Sequence, residues 1–239
     1  YPNGGGAYIV ARENLGQTAA LVAGSALLTD YILTVAVSIS SGVAQIISAF
    51  PDLAPFRVAL AVGIIAFVTV VNLRGVRESG SIFAIPTYFF LAMMVITLGV
   101  GFFRWATGTL GVVTGVEMME ETVAPITLFL ILRAFSSGST ALTGIEAISN
   151  GITAFKEPKS HNAAKTLTAM SAILVTLFLG ITFLSRHIEA MPSHTETVIS
   201  QMARTIFGEG SILYLLVIAG TALILLMAAN TSYAAFPRL

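Results

Sequence analysis

Long hydrophobic runs alternate with short polar stretches along the whole chain, and this pattern predicts its elements. A helix needs about 20 apolar residues to cross the hydrocarbon core of a bilayer. The runs are continuous and lack the alternation of lipid-facing and lumen-facing residues that marks the strands of a membrane barrel. We therefore predict one all-α transmembrane domain over residues 1–239, with six spans at about 16–49, 58–73, 81–103, 124–155, 164–185 and 211–236.

The composition indicates that the protein surface faces lipid. The chain is 56% hydrophobic and 10% charged, whereas soluble domains have about 25% charged residues. These values predict a multi-pass protein of the cell membrane, with the lipid bilayer as its partner. The formal net charge is +0, so nucleic acid is not expected as a partner. The chain has no cysteine, which excludes disulfide scaffolds and thiolate zinc sites.

The two ends of the chain indicate that it is part of a longer protein. It begins at Tyr1 rather than at a methionine, without a visible signal peptide. It stops at Leu239, directly after the last hydrophobic run. We interpret the chain as a fragment of a transporter and expect further segments on both sides.

The distribution of lysine and arginine predicts how the spans are oriented. If each span crosses once, alternate loops share a side, and basic residues accumulate on the cytoplasmic side. One side holds seven basic residues, namely Arg12, Arg74, Arg77, Lys156, Lys159, Lys165 and Arg238. The other side holds four, namely Arg57, Arg104, Arg186 and Arg204. We therefore predict that both ends of the chain are cytoplasmic.

The longest outer loop, at about residues 186–210, is expected to contain a short surface helix. All three histidines, His161, His187 and His194, are predicted to lie in loops and to be solvated. A zinc site requires clustered ligands. The spacing of the histidines suggests no shared site of this kind.

The first predicted span contains an acidic residue, Asp30, in a stretch where nothing else is charged. An ionised carboxylate at mid-bilayer costs at least about 2.5–3.5 kcal/mol, so such residues face the bundle interior and mark ion or substrate paths. Polar side chains recur from Asp30 at helical spacing and form one stripe of Thr34, Ser38, Ser41 and Gln45. The stripe predicts a helix that lines a polar lumen. The alternative is a structural, protonated Asp30 that is bonded to neighbouring hydroxyls.

The fourth predicted span contains a stretch of small residues, 136–144, followed by a second acid, Glu146. Glycine destabilises a helix by about 1 kcal/mol relative to alanine, so the helix is expected to unwind between Gly138 and Gly144. Unwound backbone at membrane depth is tolerated where it lines a cavity, and broken helices of this kind bind ions in secondary transporters. The alternative is close helix packing through the two glycines.

If the two spans face each other, four oxygen-bearing side chains converge. They are Asp30, Thr34, Thr143 and Glu146, with Tyr31 nearby. Oxygen ligands suit hard cations such as alkali ions. A protonatable acid beside them would couple proton movement to cation movement. We therefore predict a cation site at the break in the fourth span, with no further cofactor.

Four motifs resemble segments of a known family. Residues 1–8 resemble the loop after the second helix of amino acid–polyamine–organocation permeases. A more specific resemblance is carried by residues 29–34, 141–146 and 229–233, the last followed by 236–239. Together these segments resemble the KimA-type proton-coupled potassium importers of that superfamily. The resemblance implies a LeuT-like bundle of five plus five inverted-repeat helices, of which this chain would hold helices three to eight.

The same resemblance implies roles for particular residues. The potassium ligands would be Asp30, Tyr31, Thr34 and Thr143. Glu146 would lie in the same ion region, and the complete protein would be a homodimer. This chain departs from the family pattern at position 235, where it has Ala235 in place of an acid. The resemblance therefore implies no role for this position in coupling proton movement to transport.

Import of potassium with protons by alternating access is the leading interpretation. A second interpretation keeps the fold and makes the solute an amino acid, whose carboxylate would lie at a half-helix N-terminus. Two acids at the site favour a cation over a zwitterion. A gated channel is a third interpretation, and saturable, proton-linked uptake would separate a carrier from it. An intramembrane enzyme is the least favoured, since no nucleophile–base pair or metal-ligand cluster is visible in the sequence.

Overall fold

A computed structural model of the protein describes residues 6–74, 80–116, 126–139 and 155–235, together with residues 148 and 152. Within these residues the backbone forms helices and loops, and no strand is present. The α-helices of this part are α1 (Gly6–Leu15), α2 (Gln17–Ala49), α3 (Arg57–Leu73), α4 (Gly80–Ala106), α5 (Leu128–Ser139), α6 (Lys159–His187), α7 (Val198–Phe207) and α8 (Ile212–Ala235). The prediction of an all-α protein is confirmed.

Five of the described helical segments are long and apolar enough to cross a membrane. They are Gln17–Ala49, Pro51–Leu73, Phe83–Ala106, Lys159–His187 and Ile212–Tyr233. Their number and composition confirm a multi-pass membrane protein. The fourth predicted span is represented by α5, which ends at Ser139. Most of the predicted break between Gly138 and Gly144 lies outside the described residues, so the arrangement of six spans stays a prediction.

Prolines and glycines determine where several helices begin and end. α2 ends at Ala49, and a 3₁₀ helix, Pro51–Phe56, follows with proline in its first turn. This placement is favourable because proline lacks the N–H that an interior position needs. α7 is the short helix expected in the 186–210 loop. The Thr197 side chain caps it by accepting a hydrogen bond from the Ser200 N–H, and Gly208 ends it at a φ of 90°.

The chain forms two compact units. The first unit contains α1, α2 as far as Asp30, α5 and α6 as far as Leu174. The second contains α2 from Tyr31 onward, α3, α4, α6 from Val175 onward, α7 and α8. In the first unit the Tyr8 ring lies against Gly24 of α2, where a β-carbon would come within 3.3 Å of it. A small residue at this position therefore allows α1 to pack on α2.

The second unit has three apolar clusters of buried residues, and α4 contributes to two of them. One cluster joins α4, α6 and α7 through Met94, Leu98, Leu184, Ile188, Met202 and Ile206. A second joins α4, α7 and α8 through Met93, Ala203, Tyr214, Val217 and Ile218. A third joins α2 and α8 through Ile39, Val43, Ile47 and Ala229, with partly buried residues of α3 packed against it. Met93 and Met94 are adjacent on α4 and pack in two different clusters.

Gly101 of α4 is a point of close approach in this core. A β-carbon there would lie 2.5 Å from a Leu184 methyl group and 2.9 Å from an Ile206 methyl group. Both side chains are buried, with relative exposures of 0% and 3%, so they have little room to move. We expect Gly101→Val to destabilise the protein by about 1–3 kcal/mol, the usual cost of overpacking a core. Thermal unfolding in detergent micelles measures this effect.

Gly99 provides the matched control for that prediction. It lies on the same helix, and a β-carbon there would meet no heavy atom within 4 Å. Gly99→Val changes intrinsic helix propensity as Gly101→Val does, but it creates no clash. Equal melting temperatures for the two variants would contradict the packing described for α4.

Candidate functional site

Three of the five predicted site residues lie on α2. Asp30 is the only charged residue between Gln17 and Ala49. Asp30 and Thr34 are half-buried, and because they are one turn apart they share a face of the helix. Tyr31 is buried, with a relative exposure of 6%. An uninterrupted helix therefore carries the predicted acid, a buried phenol and a hydroxyl within five consecutive positions.

The hydroxyl groups near Asp30 are used within the helix itself. Ser25 Oγ donates to the Leu21 carbonyl at 2.8 Å, and Thr29 Oγ1 donates to the Ser25 carbonyl at 3.0 Å. Within the described part of the chain, no side chain donates a hydrogen bond to the Asp30 carboxylate and no cation pairs with it. The roles of Asp30 as a ligand-binding acid and as a structural acid both stay predictions.

The other two predicted residues, Thr143 and Glu146, lie outside the described residues. The convergence of Asp30 with them therefore stays a prediction. The same holds for the proposed unwinding of the fourth span beyond Ser139.

The far end of the polar stripe on α2 has a different role from the one predicted. Gln45 is buried, and its Oε1 accepts a hydrogen bond from Thr197 Oγ1 at 2.9 Å. Ser48 Oγ accepts a hydrogen bond from the Thr197 N–H at 3.0 Å. The interpretation of Gln45 as a lumen-lining residue is wrong, because its amide joins α2 to the N-terminus of α7.

The same polar contacts extend to α8. Tyr214 Oη lies 2.9 Å from Ser200 Oγ and donates to the Ser48 carbonyl at 3.2 Å. Ser200 Oγ in turn donates to Glu196 Oε1 at 2.8 Å. The end of α2, the start of α7 and the first turn of α8 are therefore held together by hydrogen bonds between buried or half-buried groups.

An ion pair of two largely buried side chains completes this region. Arg204 Nη2 lies 2.9 Å from Glu196 Oε2, Arg204 Nε donates to Glu196 Oε1 at 3.1 Å, and the side-chain exposures are 19% and 13%. Arg204 Nη2 also donates to the Thr114 carbonyl at 3.0 Å. Hydrogen bonding to Glu196 raises the pKa of Arg204 above its usual value. From the sequence, both residues were expected to be charges in a loop. The one sequence feature that indicates a helix here is the position of Glu196 immediately before the helix cap at Thr197.

A polar cavity of about 110 Å³ lies beside this ion pair. Its lining consists of Ala44, Ile47, Ser48, Arg57, Ser193, His194, Thr195, Glu196 and Thr197. It is large enough for water. Because it contains one guanidinium and one carboxylate, and the carboxylate is already paired with Arg204, its charges give no preference for a cation. The cation site at Asp30 stays a prediction.

The histidines differ in part from the prediction. His161 and His187 lie in α6, at its first and last turns, and not in loops. A helix was not expected to extend so far into the polar flanks of the fifth run. All three histidines are solvent-exposed, as predicted.

A pair of polar contacts joins α3 to α8 in the second unit. Asn72 Nδ2 donates to Asn230 Oδ1 at 2.7 Å, and Thr69 Oγ1 lies 2.7 Å from Tyr233 Oη. Asn230 and Tyr233 belong to one of the motifs that carry the family resemblance. Their described contacts assign to this motif a role in helix packing, as is usual for polar groups between membrane helices.

We expect a double-mutant cycle with Asn72→Ala and Asn230→Ala to give a coupling energy of about 0.6 kcal/mol, and at most about 1.7 kcal/mol, as for other membrane helix pairs. Unfolding free energies in mixed micelles supply the four corners of the cycle. Thr231 is exposed and bonds to its own helix, so a cycle of Asn72→Ala with Thr231→Ala should show no coupling. Equal coupling in both cycles would rule out the specific amide contact.

Residues 1–239 match the family model described as "Amino acid permease". The chain is 49% identical over 239 residues to the protein named "Potassium transporter KimA" of Bacillus subtilis (strain 168). That alignment covers 100% of this chain and 39% of the relative. The chain therefore spans about two fifths of the length of the relative that it matches.

Proposed function

Because this chain belongs to the amino acid permease family, we propose that it is the core of a secondary transporter that imports potassium together with protons by alternating access. The observation that carries the proposal is a half-buried carboxylate, Asp30, without a described partner, on a helix that is otherwise uncharged over 33 residues. A relative that is 49% identical is named a potassium transporter. Its name supports a cation as the solute.

The proposed potassium site consists of Asp30, Tyr31, Thr34 and Thr143, with Glu146 in the same ion region. A desolvated alkali ion requires several oxygen ligands, and an anionic ligand among them balances its charge. Asp30 supplies that charge. Thr34 supplies a hydroxyl one turn away on the same helix face, and the half-buried position of both residues supports their role.

The acids of the site also provide the proposed link to protons. A protonatable acid beside the bound potassium would carry a proton in the same transport step, which is a relay role typical of acids within membranes. With both ends of the chain on the cytoplasmic side, as the distribution of basic residues predicts, an inward-negative potential would favour import by about 2.3 kcal/mol per charge per 100 mV. We propose a homodimer for the complete protein.

An amino acid is the second candidate solute, because the family as a whole is described as amino acid permeases. Growth rescue and uptake into vesicles distinguish potassium from an amino acid as the solute. The complete gene should restore growth of a potassium-uptake-deficient strain at low potassium, and purified protein in vesicles should accumulate potassium in response to a proton gradient. If vesicles take up labelled amino acids and no potassium, the cation assignment fails and the amino acid interpretation replaces it.

We expect Thr143→Val to raise the apparent KM for potassium about tenfold while maximal uptake changes little, since it removes one neutral oxygen ligand worth about 1–1.5 kcal/mol. Uptake of a rubidium tracer by the complete protein measures both parameters. Thr29→Val is the matched control, because Thr29 is exposed and donates to its own helix. An unchanged KM in Thr143→Val would remove Thr143 from the site.

A further inference from the structure

Four rings form a cluster where α4 and α6 end, and we call Phe102, Trp105, Phe183 and His187 the ring patch. The Trp105 and Phe183 rings meet edge to face, with centroids 5.0 Å apart and planes at 86°. The His187 ring stacks on Phe183 at 4.1 Å and lies 5.7 Å from Trp105. Phe102 lies 5.3 Å from Phe183. Two helices therefore contribute two rings each to one surface.

The lengths of α4 and α6 indicate that the ring patch lies at the depth of a membrane boundary. α4 has 27 residues and α6 has 29, so each is about 40 Å long at about 1.5 Å per residue. The hydrocarbon core is about 30 Å thick. Trp105 is the last residue but one of α4, and His187 is the last residue of α6. The terminal turns of two spanning helices, and the rings on them, therefore reach the headgroup zone.

The polar groups of the patch lie on its rim. Arg186 and His187 are both exposed and occupy the last turn of α6. His187 Nδ1 lies 2.8 Å from the Phe183 carbonyl. A carbonyl only accepts hydrogen bonds, so Nδ1 carries the hydrogen and Nε2 is the remaining polar atom of the ring. In its neutral form Nε2 accepts a hydrogen bond, and in its protonated form it donates one.

Arg186 has no acidic partner among the residues that the structure describes. In the part of the chain that the structure describes, no carboxylate lies within ion-pair distance of it. Trp105 and Phe102 have exposures of 46% and 37%, so their apolar faces are accessible. Arg186 directly precedes His187 of the ring patch in α6. An apolar surface bordered by an unpaired guanidinium and an imidazole matches a ligand with an acyl chain and a phosphate.

We propose that the ring patch and Arg186 bind a phospholipid. The headgroup phosphate accepts hydrogen bonds from Arg186 and from His187 Nε2 in its protonated form. The glycerol region and the first acyl methylenes lie against Trp105 and Phe102, as aromatic rings do at membrane boundaries. The site does not depend on which solute is transported, because it rests only on where two spanning helices end.

Trp105 is the only tryptophan of the 239 residues, so its fluorescence reports on this surface. The complete protein is reconstituted in phosphatidylcholine vesicles, and the spectrum of the Trp105→Phe variant is subtracted from that of the wild type. Bromine atoms near the carbonyl end of the acyl chains should quench the difference signal strongly, and bromine atoms near the terminal methyl group should quench it weakly.

Other occupants of the surface give different results and overturn the proposal. Quenching by aqueous acrylamide without quenching by either brominated lipid would place Trp105 in water. Protection from acrylamide and from both brominated lipids would place it under protein, as in a contact with a second copy of the chain. Equal quenching by both brominated lipids would place it away from the headgroup zone.

A second measurement tests the phosphate contact itself. A small fraction of brominated phosphatidylglycerol is added to phosphatidylcholine vesicles, and quenching above the level of random mixing reports enrichment at the ring patch. We expect enrichment of about fivefold in the wild type and its loss in Arg186→Gln, as a surface guanidinium contributes about 1 kcal/mol to binding of an anionic lipid. Arg12→Gln is the control, since Arg12 is an exposed arginine in the last turn of α1. Equal enrichment in Arg186→Gln and the wild type would refute the proposed contact.

Discussion

The Asp30→Asn variant of the complete transporter should lose potassium uptake while it still inserts and folds. Asparagine has nearly the same shape as aspartate, so packing around α2 is preserved, but the charge and the titratable proton are removed together. A charged oxygen ligand worth about 1.5–3 kcal/mol corresponds to about 10- to 100-fold in apparent potassium affinity. Coupled uptake should fall to background, since the variant has lost the anionic ligand that balances the charge of the bound potassium.

Rubidium uptake into vesicles with an imposed proton gradient measures this effect. Asp52→Asn is the matched control, because Asp52 is the other aspartate of the chain and lies exposed in the 3₁₀ helix before α3. The control should transport as the wild type does. If Asp30→Asn transports normally, Asp30 is a structural acid and the proposed site is wrong. If it loses amino acid uptake and the wild type shows no potassium uptake, the second candidate function is supported.

The class of fold was predictable because it follows from composition and from long-range pattern. A chain with so few charges must face lipid, and runs of about 20 apolar residues then specify helices. The family match over residues 1–239 agrees with the LeuT-like expectation. The pairing of helices was not predictable in this way. Gly101, for example, is one of several glycines on α4 in the sequence, and only the fold brings it against Leu184 and Ile206.

The candidate site was visible in part for a similar reason. Asp30 is conspicuous because a charge within an apolar run has a large energetic cost. Gln45 follows Asp30 at helical spacing in the same stripe, yet it bonds to Thr197, which is 152 positions away. Helical spacing predicts which residues share a face, but it does not say whether a lumen or another helix lies opposite. Thr143 and Glu146 lie outside the described residues, so their roles stay predictions.

The polar region at the end of α2 depends on contacts that sequence spacing does not reveal. Glu196 and Arg204 are eight positions apart, and α7 begins between them. Charges in a predicted outer loop are usually solvated, and exposed ion pairs contribute little to stability. Here the fold buries most of each side chain. Loss of one partner should therefore lower the free energy of unfolding by more than it does in an exposed pair.

We expect Arg204→Met to destabilise the protein by about 3 kcal/mol, near the lower end of the cost of leaving one partner of a buried ion pair alone. The variant keeps the volume and apolar stem of the side chain and removes the guanidinium. The Glu196 carboxylate, which is 13% exposed, would then retain the Ser200 hydroxyl as its side-chain donor within the described residues. Thermal unfolding of the complete protein in detergent micelles measures the loss.

Two comparisons make this prediction specific to the buried ion pair. The double variant Glu196→Gln with Arg204→Met removes both charges and should recover most of the lost stability, because a neutral replacement of a buried pair is often tolerated. Lys159→Met removes the cation of the Lys159–Glu157 pair, which is 3.6 Å apart with side-chain exposures of 34% and 79%. Its cost should stay below about 1 kcal/mol, the usual range for exposed pairs. If Arg204→Met costs no more than Lys159→Met, burial of the Glu196–Arg204 pair does not contribute to holding α7 against α2 and α8.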